Sequence, residues 1–350
     1  MKTESTNPEA SREVEAGKKP VVLSGIRATG RMHLGNYLGA MRDFVTLSER
    51  DDRECFFFVA DLHTLTTLPD ADQIRRNVPE IVLSYLAAGI DPERSTIYTQ
   101  SSVPETSELF WLFSNLMPVG ELLKSPSYKE KAQMHPDNIN AGLLNYPVLM
   151  AADILGPRAH FVPVGEDQYT HLENARDIAR RFNNRYGDFF PLPQPLQQSG
   201  IRVPGLDGTG KMGKSDGNTL DLVDTPDEMW KKLAPAVTDP ARKTRKDPGN
   251  PDICNIYTIH TYVSTEEELN WVREGCTTAG IGCLDCKKTL HKNISDLLAE
   301  YQERHRDLSA RKGYAEEVLR EGARRARKVI GETVREAQDR MGVAAYRGSS

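Results

Sequence analysis

Short apolar runs alternate with longer segments of helical periodicity through the first half of the chain. Val21-Val22-Leu23-Ser24-Gly25 predicts a strand running into a glycine-rich turn. Leu38, Met41, Phe44 or Val45, and Leu47 or Ser48 then repeat at the spacing of a buried helix face. Cys55 to Ala60 predicts a second strand, Ser95 to Thr99 a third, and Phe161 to Val164 a fourth, closed by Gly165. Helices are expected at Gln73 to Ala88 (with Pro79 a blemish), Glu108 to Met117, Ala141 to Leu155 (broken near Pro147) and Tyr169 to Phe182. Strands alternating with helices predict an α/β protein with a Rossmann-like, doubly wound parallel sheet. From about residue 191 the texture changes. Pro191 to Ser215 is rich in Pro and Gly, and beyond it the patterns are helical with almost no strand candidate. The expected organisation is a flexible tail over 1–19, a catalytic-type α/β domain over 20–215, an all-helical domain over 216–343 and a short tail over 344–350.

Composition narrows the class without choosing a function. A chain of 350 residues is long enough for about two domains. No apolar stretch approaches the roughly 20 residues of a membrane span, and the N-terminus lacks the apolar core of a secretory signal. A cytoplasmic protein that engages no membrane is expected. The net charge of −5 carries no global sign of nucleic-acid binding, and no DNA partner is expected. The charge is uneven, however. Residues 301–350 hold 12 Lys/Arg against 8 Asp/Glu, a local +4 that leaves −9 on the remainder. Such a segment meets a polyanionic partner or forms a solvated helix face.

Three loop segments carry chemistry. Ser24 to Asn36 places three glycines between a strand and a helix, with His33 and Asn36 at the helix start. A helix N-terminus there favours anions, although a plain glycine turn with an Asn cap has the same appearance. Lys211-Met212-Gly213-Lys214-Ser215 is a basic, glycine-containing loop able to close on phosphates, or simply an exposed loop. Pro163-Val164-Gly165-Glu166-Asp167-Gln168 follows directly on a strand, where open parallel sheets bind ligands and an acidic side chain can accept from ribose hydroxyls. An ordinary acidic helix cap is the alternative.

In this order the three segments resemble the signature of the class I aminoacyl-tRNA synthetases. His33-Leu34-Gly35-Asn36 matches the HIGH tetrapeptide, and Lys211 to Ser215 matches the KMSKS loop. Leu149 to Leu155, Val162 to Gln168 and Asn183-Asn184-Arg185-Tyr186-Gly187 look like the tryptophanyl-tRNA synthetases of bacteria. The resemblance runs from about Val21 to about Val343. It implies that ATP and Mg²⁺ convert L-tryptophan to tryptophanyl-adenylate, and that the tryptophanyl group then passes to tRNA(Trp). It implies a helical anticodon-binding domain and a homodimer. His33 and Asn36 are expected on ATP phosphates, and Arg27, Ala28 and Thr29 in the ATP-facing turn. Gly35 is expected against adenine, Val203 and Met212 beside it, and Asp167 at the ribose, with Gly165, Glu166 and Gly213 among the other ATP contacts. Lys211, Lys214 and Ser215 are expected around the departing pyrophosphate. For tryptophan, Asp153 is expected to accept the indole N–H, since an unpaired buried carboxylate is costly. A salt bridge to Arg158 or a helix cap is the bland alternative. Leu23, Gly25, His63, Met150, Val162 and Val164 are expected to line the slot, with Tyr146 and Gln168 holding the amino and carboxylate groups.

Two positions depart from the family pattern. Gly213 replaces the middle serine of KMSKS, which predicts a more mobile loop. Arg27 stands where Gln is common, and either adds a phosphate contact or alters the tryptophan side. Cys254, Cys276, Cys283 and Cys286 fall within 33 residues. Some bacterial members of the resembled family hold a [4Fe-4S] cluster on almost this spacing. Zinc, or no metal, remains open for an all-thiol set. The rival functions are a tyrosyl-tRNA synthetase, or a non-catalytic synthetase-like protein that binds tRNA or a protein.

Overall fold

The computed structural model describes residues 17–134, 136–165, 169–197, 201–214 and 217–343. Five strands form one parallel sheet: β1 (Val21–Arg27), β2 (Glu54–Ala60), β3 (Ser95–Thr99), β4 (Phe161–Val164) and β5 (Gln194–Gln197). Their order is β3-β2-β1-β4-β5. The chain therefore builds outward from β1 in one direction and then in the other. The crevice at that reversal, beyond the strand ends Arg27 and Val164, is where such sheets receive ligands.

Period-two alternation sorts the strand side chains between two cores. Val22, Cys55, Phe57, Val59 and Ile97 face one, while Leu23, Phe56, Phe58, Ala60 and Tyr98 face the other. Both faces are buried, as all-parallel sheets require. The first core is covered by a helical segment over 34–48 (α1), by α2 (Ala71–Ala88) and by helices from beyond the lysine loop. The second is covered by α3 (Pro104–Ser114), α4 (Ala141–Leu155) and α5 (Tyr169–Tyr186).

Two local expectations change. Strand β5, Gln-Pro-Leu-Gln, was not expected within the Pro-rich stretch. It sits at the sheet edge, where Pro195 and its missing N–H are tolerated. Helix α4 also runs unbroken through Pro147, with Tyr146, Pro147 and Val148 all buried. Packing on both sides of this mostly apolar helix outweighs the one lost hydrogen bond.

The α-helices that follow the lysine loop are α6 (Pro226–Leu233), α7 (Asn255–Val263), α8 (Glu266–Thr277), α9 (Cys283–Ala310) and α10 (Tyr314–Met341). Leu290, Ile294, Leu298 and Tyr301 of α9 continue the first core against α2. Helix α10 instead packs along β3 and α3, and its Ala323, Ala326, Ile330 and Val334 belong to the second core. Much of the basic character read at the C-terminus is engaged here. Arg327 pairs with Glu105 at 2.9 Å, Arg324 with Glu321 and Arg340 with Glu336, and Arg325 donates to the Ser95 carbonyl. No helix among the described residues is long and apolar enough to cross a membrane.

Candidate active site

One side of the crevice is built on the glycine turn between β1 and α1. His33 is buried just before α1, and its backbone N–H donates to Asn36 Oδ1 at 3.2 Å. Burial first, then the positive charge of Lys214, pushes the His33 imidazole down to about 4. It is neutral at neutral pH, and its buried Nδ1 has no hydrogen-bond partner among the described residues. A Cβ on Gly35 would come within 3.0 Å of that Nδ1 and 3.5 Å of Met212 Cβ, so the bare backbone keeps the gap between them open. Met212 and Val203 are both buried and are joined by a 2.9 Å hydrogen bond from Met212 N–H to Val203 C=O. The lysine loop is thereby fixed at its base beside Gly35.

The two lysines are placed differently. Lys211 is exposed, whereas Lys214 Nζ donates to the Gly30 carbonyl at 3.1 Å. Burial, followed by the nearby Arg27 charge, holds Lys214 down to about 8. Gly213 N–H donates to Asn218 Oδ1 at 2.9 Å, so the glycine that departs from the family pattern is tethered through its backbone. Ala28 is pinned through its N–H to Thr64 Oγ1, and Thr29 is exposed. Arg27 reaches Thr67 Oγ1 at 3.4 Å, and its Nε is buried without a partner among the described residues. Burial lowers the Arg27 pKa, and a guanidinium in this position is suited to an anion.

The other side of the crevice is a slot along α4. Tyr146, Met150 and Asp153 are spaced four and three residues apart, on one helix face. Leu23, Val162 and Val164 are buried in the same core. Gly25 pairs with Phe58 across β1 and β2. Asp153 is 2% exposed and is held by two side chains. His63 Nε2 lies 2.8 Å from its Oδ2, and Gln100 Nε2 lies 2.8 and 2.9 Å from its two oxygens. A salt bridge to Arg158 is absent, because Arg158 donates to the Phe189 carbonyl instead. Burial raises the Asp153 pKa, and the His63 and Gln100 hydrogen bonds oppose that rise. Tyr146 Oη lies 2.8 Å from His171 Nε2. Gln100 and His171 are site residues that sequence reasoning missed. Only the position of Gln100, one residue beyond a strand, could have pointed to it.

A family model for class I tRNA synthetases of the tryptophan and tyrosine type matches residues 15–299. A tryptophan–tRNA ligase of Thermotoga maritima is 45% identical over 324 residues, covering 91% of this chain and 98% of the relative. One from Deinococcus radiodurans is 42% identical, covering 92% and 98%. Among solved structures, the tryptophanyl-tRNA synthetase of Campylobacter jejuni complexed with ADP and tryptophan superposes with a TM-score of 0.81. It is 34% identical and covers 92% of this chain and 99% of its own. The chain belongs to the class I tRNA synthetases, in the tryptophan–tRNA ligase branch.

For a synthetase of this branch, four expected contacts remain to be placed. Glu166, Asp167, Gln168 and Ser215 lie outside the described residues. The four clustered cysteines of this synthetase do come together, lining a single small cavity with Arg242, Thr238 and Ile281. Among the described residues no group of three or more His, Cys, Asp or Glu is set to hold a metal ion. The surroundings of the cavity are nonetheless cationic. Buried Arg242 places Nη1 3.6 Å from Cys276 Sγ, and buried Lys287 donates to the Ala234 and Ala236 carbonyls at 2.7 and 2.6 Å. Burial pushes the Cys286 thiol up to about 12.

Proposed function

We propose that this chain charges tRNA(Trp) in two steps, with the crevice between the lysine loop and α4 as its active centre. ATP, with Mg²⁺, lies on the glycine turn. Its adenine rests over Gly35 between Val203 and Met212, and its phosphates meet His33, Asn36, Arg27 and the two lysines. Tryptophan enters the slot with its indole N–H on Asp153. Its carboxylate attacks the α-phosphate in line. No side chain forms a covalent bond, so catalysis is positioning together with stabilisation of the charge that develops on pyrophosphate. Tyr146 and Gln168 hold the amino acid head group, and Asp167 holds the ribose. The observation that carries this reading is the buried Asp153 carboxylate, held by two donors between apolar walls. An acceptor-only group in such a place suits a ring N–H.

Amino-acid-dependent ATP–pyrophosphate exchange tests this directly. Exchange is expected with tryptophan and not with tyrosine or phenylalanine. Asp153→Asn is expected to raise KM for tryptophan by roughly 10- to 100-fold, the worth of a hydrogen bond to a charged group, with KM for ATP nearly unchanged. An unchanged tryptophan KM would remove Asp153 from the indole.

The helices after the lysine loop bear the anticodon contacts in this reading, and the chain works as a homodimer in the cytoplasm. Trp111, Val119 and Leu123 support the dimer: they are large apolar side chains, 67%, 61% and 47% exposed, close together in the sequence. Cys254, Cys276, Cys283 and Cys286 hold a [4Fe-4S] cluster. Four thiols lining one cavity, with Arg242 Nη1 3.6 Å from Cys276 Sγ, bring together the all-sulfur donor set that such a cluster takes. The cluster would tie α7, α8 and α9 together and take no part in the reaction. Native mass spectrometry of anaerobically purified protein is expected to give two chains, each with four iron and four inorganic sulfide. Zinc in their place, or bare thiols, would overturn the cluster, and a monomer would overturn the dimer.

A further inference from the structure

We propose that Gln100 is the positioning residue of the tryptophan slot: it orients the Asp153 carboxylate toward the indole and keeps it in the acceptor state. This rests on the assignment of Asp153 to the indole N–H.

Gln100 is fully buried in the short turn Gln100–Ser102 that follows β3. Its amide can adopt only one orientation. The backbone N–H of His63 lies 3.2 Å from Gln100 Oε1, and a backbone N–H can only donate. Oxygen must therefore face His63, which leaves Nε2 to face Asp153. One side chain thus fixes both members of the site: it receives a hydrogen bond from the His63 backbone and donates to both carboxylate oxygens. Oδ2 has contacts from Gln100 and from His63 Nε2. Oδ1 has only the contact from Gln100 among the described residues. It keeps acceptor capacity for one more donor, and the indole N–H supplies it.

The protonation state follows from the groups packed on Asp153. Burial raises its pKa most strongly, and Asp61 from the turn after β2 adds to that. His63 from the same turn and Gln100 from the end of β3 lower it. Tyr98 on β3 stays neutral and adds no negative charge beside the carboxylate, since burial and Asp153 raise its own pKa. A protonated Asp153 would turn one of its two acceptor oxygens into a hydroxyl and lose the charge that strengthens a bond from a ring N–H. Gln100 is uncharged and can only help the anion, so it stabilises the acceptor form without adding a second titrating group.

The test compares two variants across pH, reading KM for tryptophan and kcat separately in pyrophosphate exchange. In Gln100→Leu the carboxylate loses its amide donor. The acid limb of kcat/KM for tryptophan should move to higher pH, with KM raised about tenfold at neutral pH and recovering as pH increases. In Gln100→Glu two carboxylates meet at hydrogen-bond distance and share a proton. A protonated Glu can still donate to Asp153, so tryptophan binding should be best at low pH and fail as pH rises, the opposite trend. KM for ATP should hold in both. A general loosening of the slot would lower activity without opposite pH trends. Profiles parallel to the parent enzyme in both variants would overturn the proposal while leaving Asp153 on the indole, provided that Asp153→Asn still weakens tryptophan. If Asp153→Asn leaves tryptophan KM unchanged, both fall. Should Gln100→Leu fail to fold, the direction of the Gln100→Glu profile decides alone.

Discussion

Replacing Lys214 with alanine is expected to slow tryptophan-dependent pyrophosphate exchange by about 10²- to 10³-fold, with most of the loss in kcat. The magnitude is that of removing one preorganised charge from the site where negative charge develops in a transition state. Preorganisation is visible in the free protein. Lys214 Nζ is already seated on the Gly30 carbonyl, 3.1 Å away, at the mouth of the phosphate turn, whereas Lys211 is exposed. The ammonium gives up little to its present partners, a carbonyl and the Met32 sulfur at 3.8 Å, when a departing pyrophosphate offers full charges. It therefore stabilises the transition state more than bound ATP, which places the loss in kcat. A pH signature accompanies it. Because burial and Arg27 hold Lys214 at about 8, the lysine is mostly charged below that pH and neutral above it. In the parent enzyme kcat/KM for ATP should fall as pH rises through about 8, and Lys214→Ala should lose that limb. A loss of less than about threefold in kcat, or an unchanged limb, would place the charge elsewhere, with Arg27 the first candidate.

The sequence made most of the sheet legible because β1, β2 and β4 are apolar runs between glycine or polar breaks, and β3 is a β-branched and aromatic run, Thr-Ile-Tyr-Thr, after Ser95. Strand β5 was not legible. Gln-Pro-Leu-Gln has one apolar side chain and owes its place to pairing with β4 at the sheet edge. The unbroken α4 was missed for a related reason: the burial that overrides Pro147 comes from elements distant in sequence. At the site, loops of unusual chemistry were legible, and the structure puts His33, Gly35, Val203, Met212 and Lys214 around one turn. Asp153 was legible as a carboxylate on an apolar helix. Its holder was not, because Gln100 is 53 positions away and an amide after a strand has no periodicity to betray it. From the sequence the C-terminal basic residues are either a segment for a polyanionic partner or a solvated helix face. Arg325 and Arg327 instead fasten the helix to β3 and α3, which only the tertiary arrangement reveals.

That fastening sets up the largest stability effect, at Gly322→Ala. In an exposed helix interior this change would stabilise by up to about 1 kcal/mol. Here a Cβ at position 322 overlaps the Ile97 carbonyl oxygen and comes within 3.1 Å of the Ile97 nitrogen. Both are backbone atoms of β3, which cannot turn aside as a side chain end would. Either α10 lifts from the sheet, parting Ala323, Ala326 and Ile330 from the second core, or β3 bends away from β2. The expected cost is on the order of 3–5 kcal/mol, enough to lower Tm by about 4–7 °C in a chain of this length. Gly331, nine residues further along the same helix, is the internal control. A Cβ there meets nothing closer than Arg335 Nη1 at 3.8 Å and Glu105 Cγ at 3.9 Å. Gly331→Ala should leave Tm unchanged or raise it slightly. Opposite signs at two glycines of one helix isolate the close approach from helix propensity, and equal shifts in thermal melts of the two variants would show that α10 does not rest against β3 through Gly322. Because Gln100 directly follows β3, a lifted α10 also loosens the support beneath Asp153. Gly322→Ala protein that stays folded at low temperature should therefore lose tryptophan affinity before it loses ATP affinity.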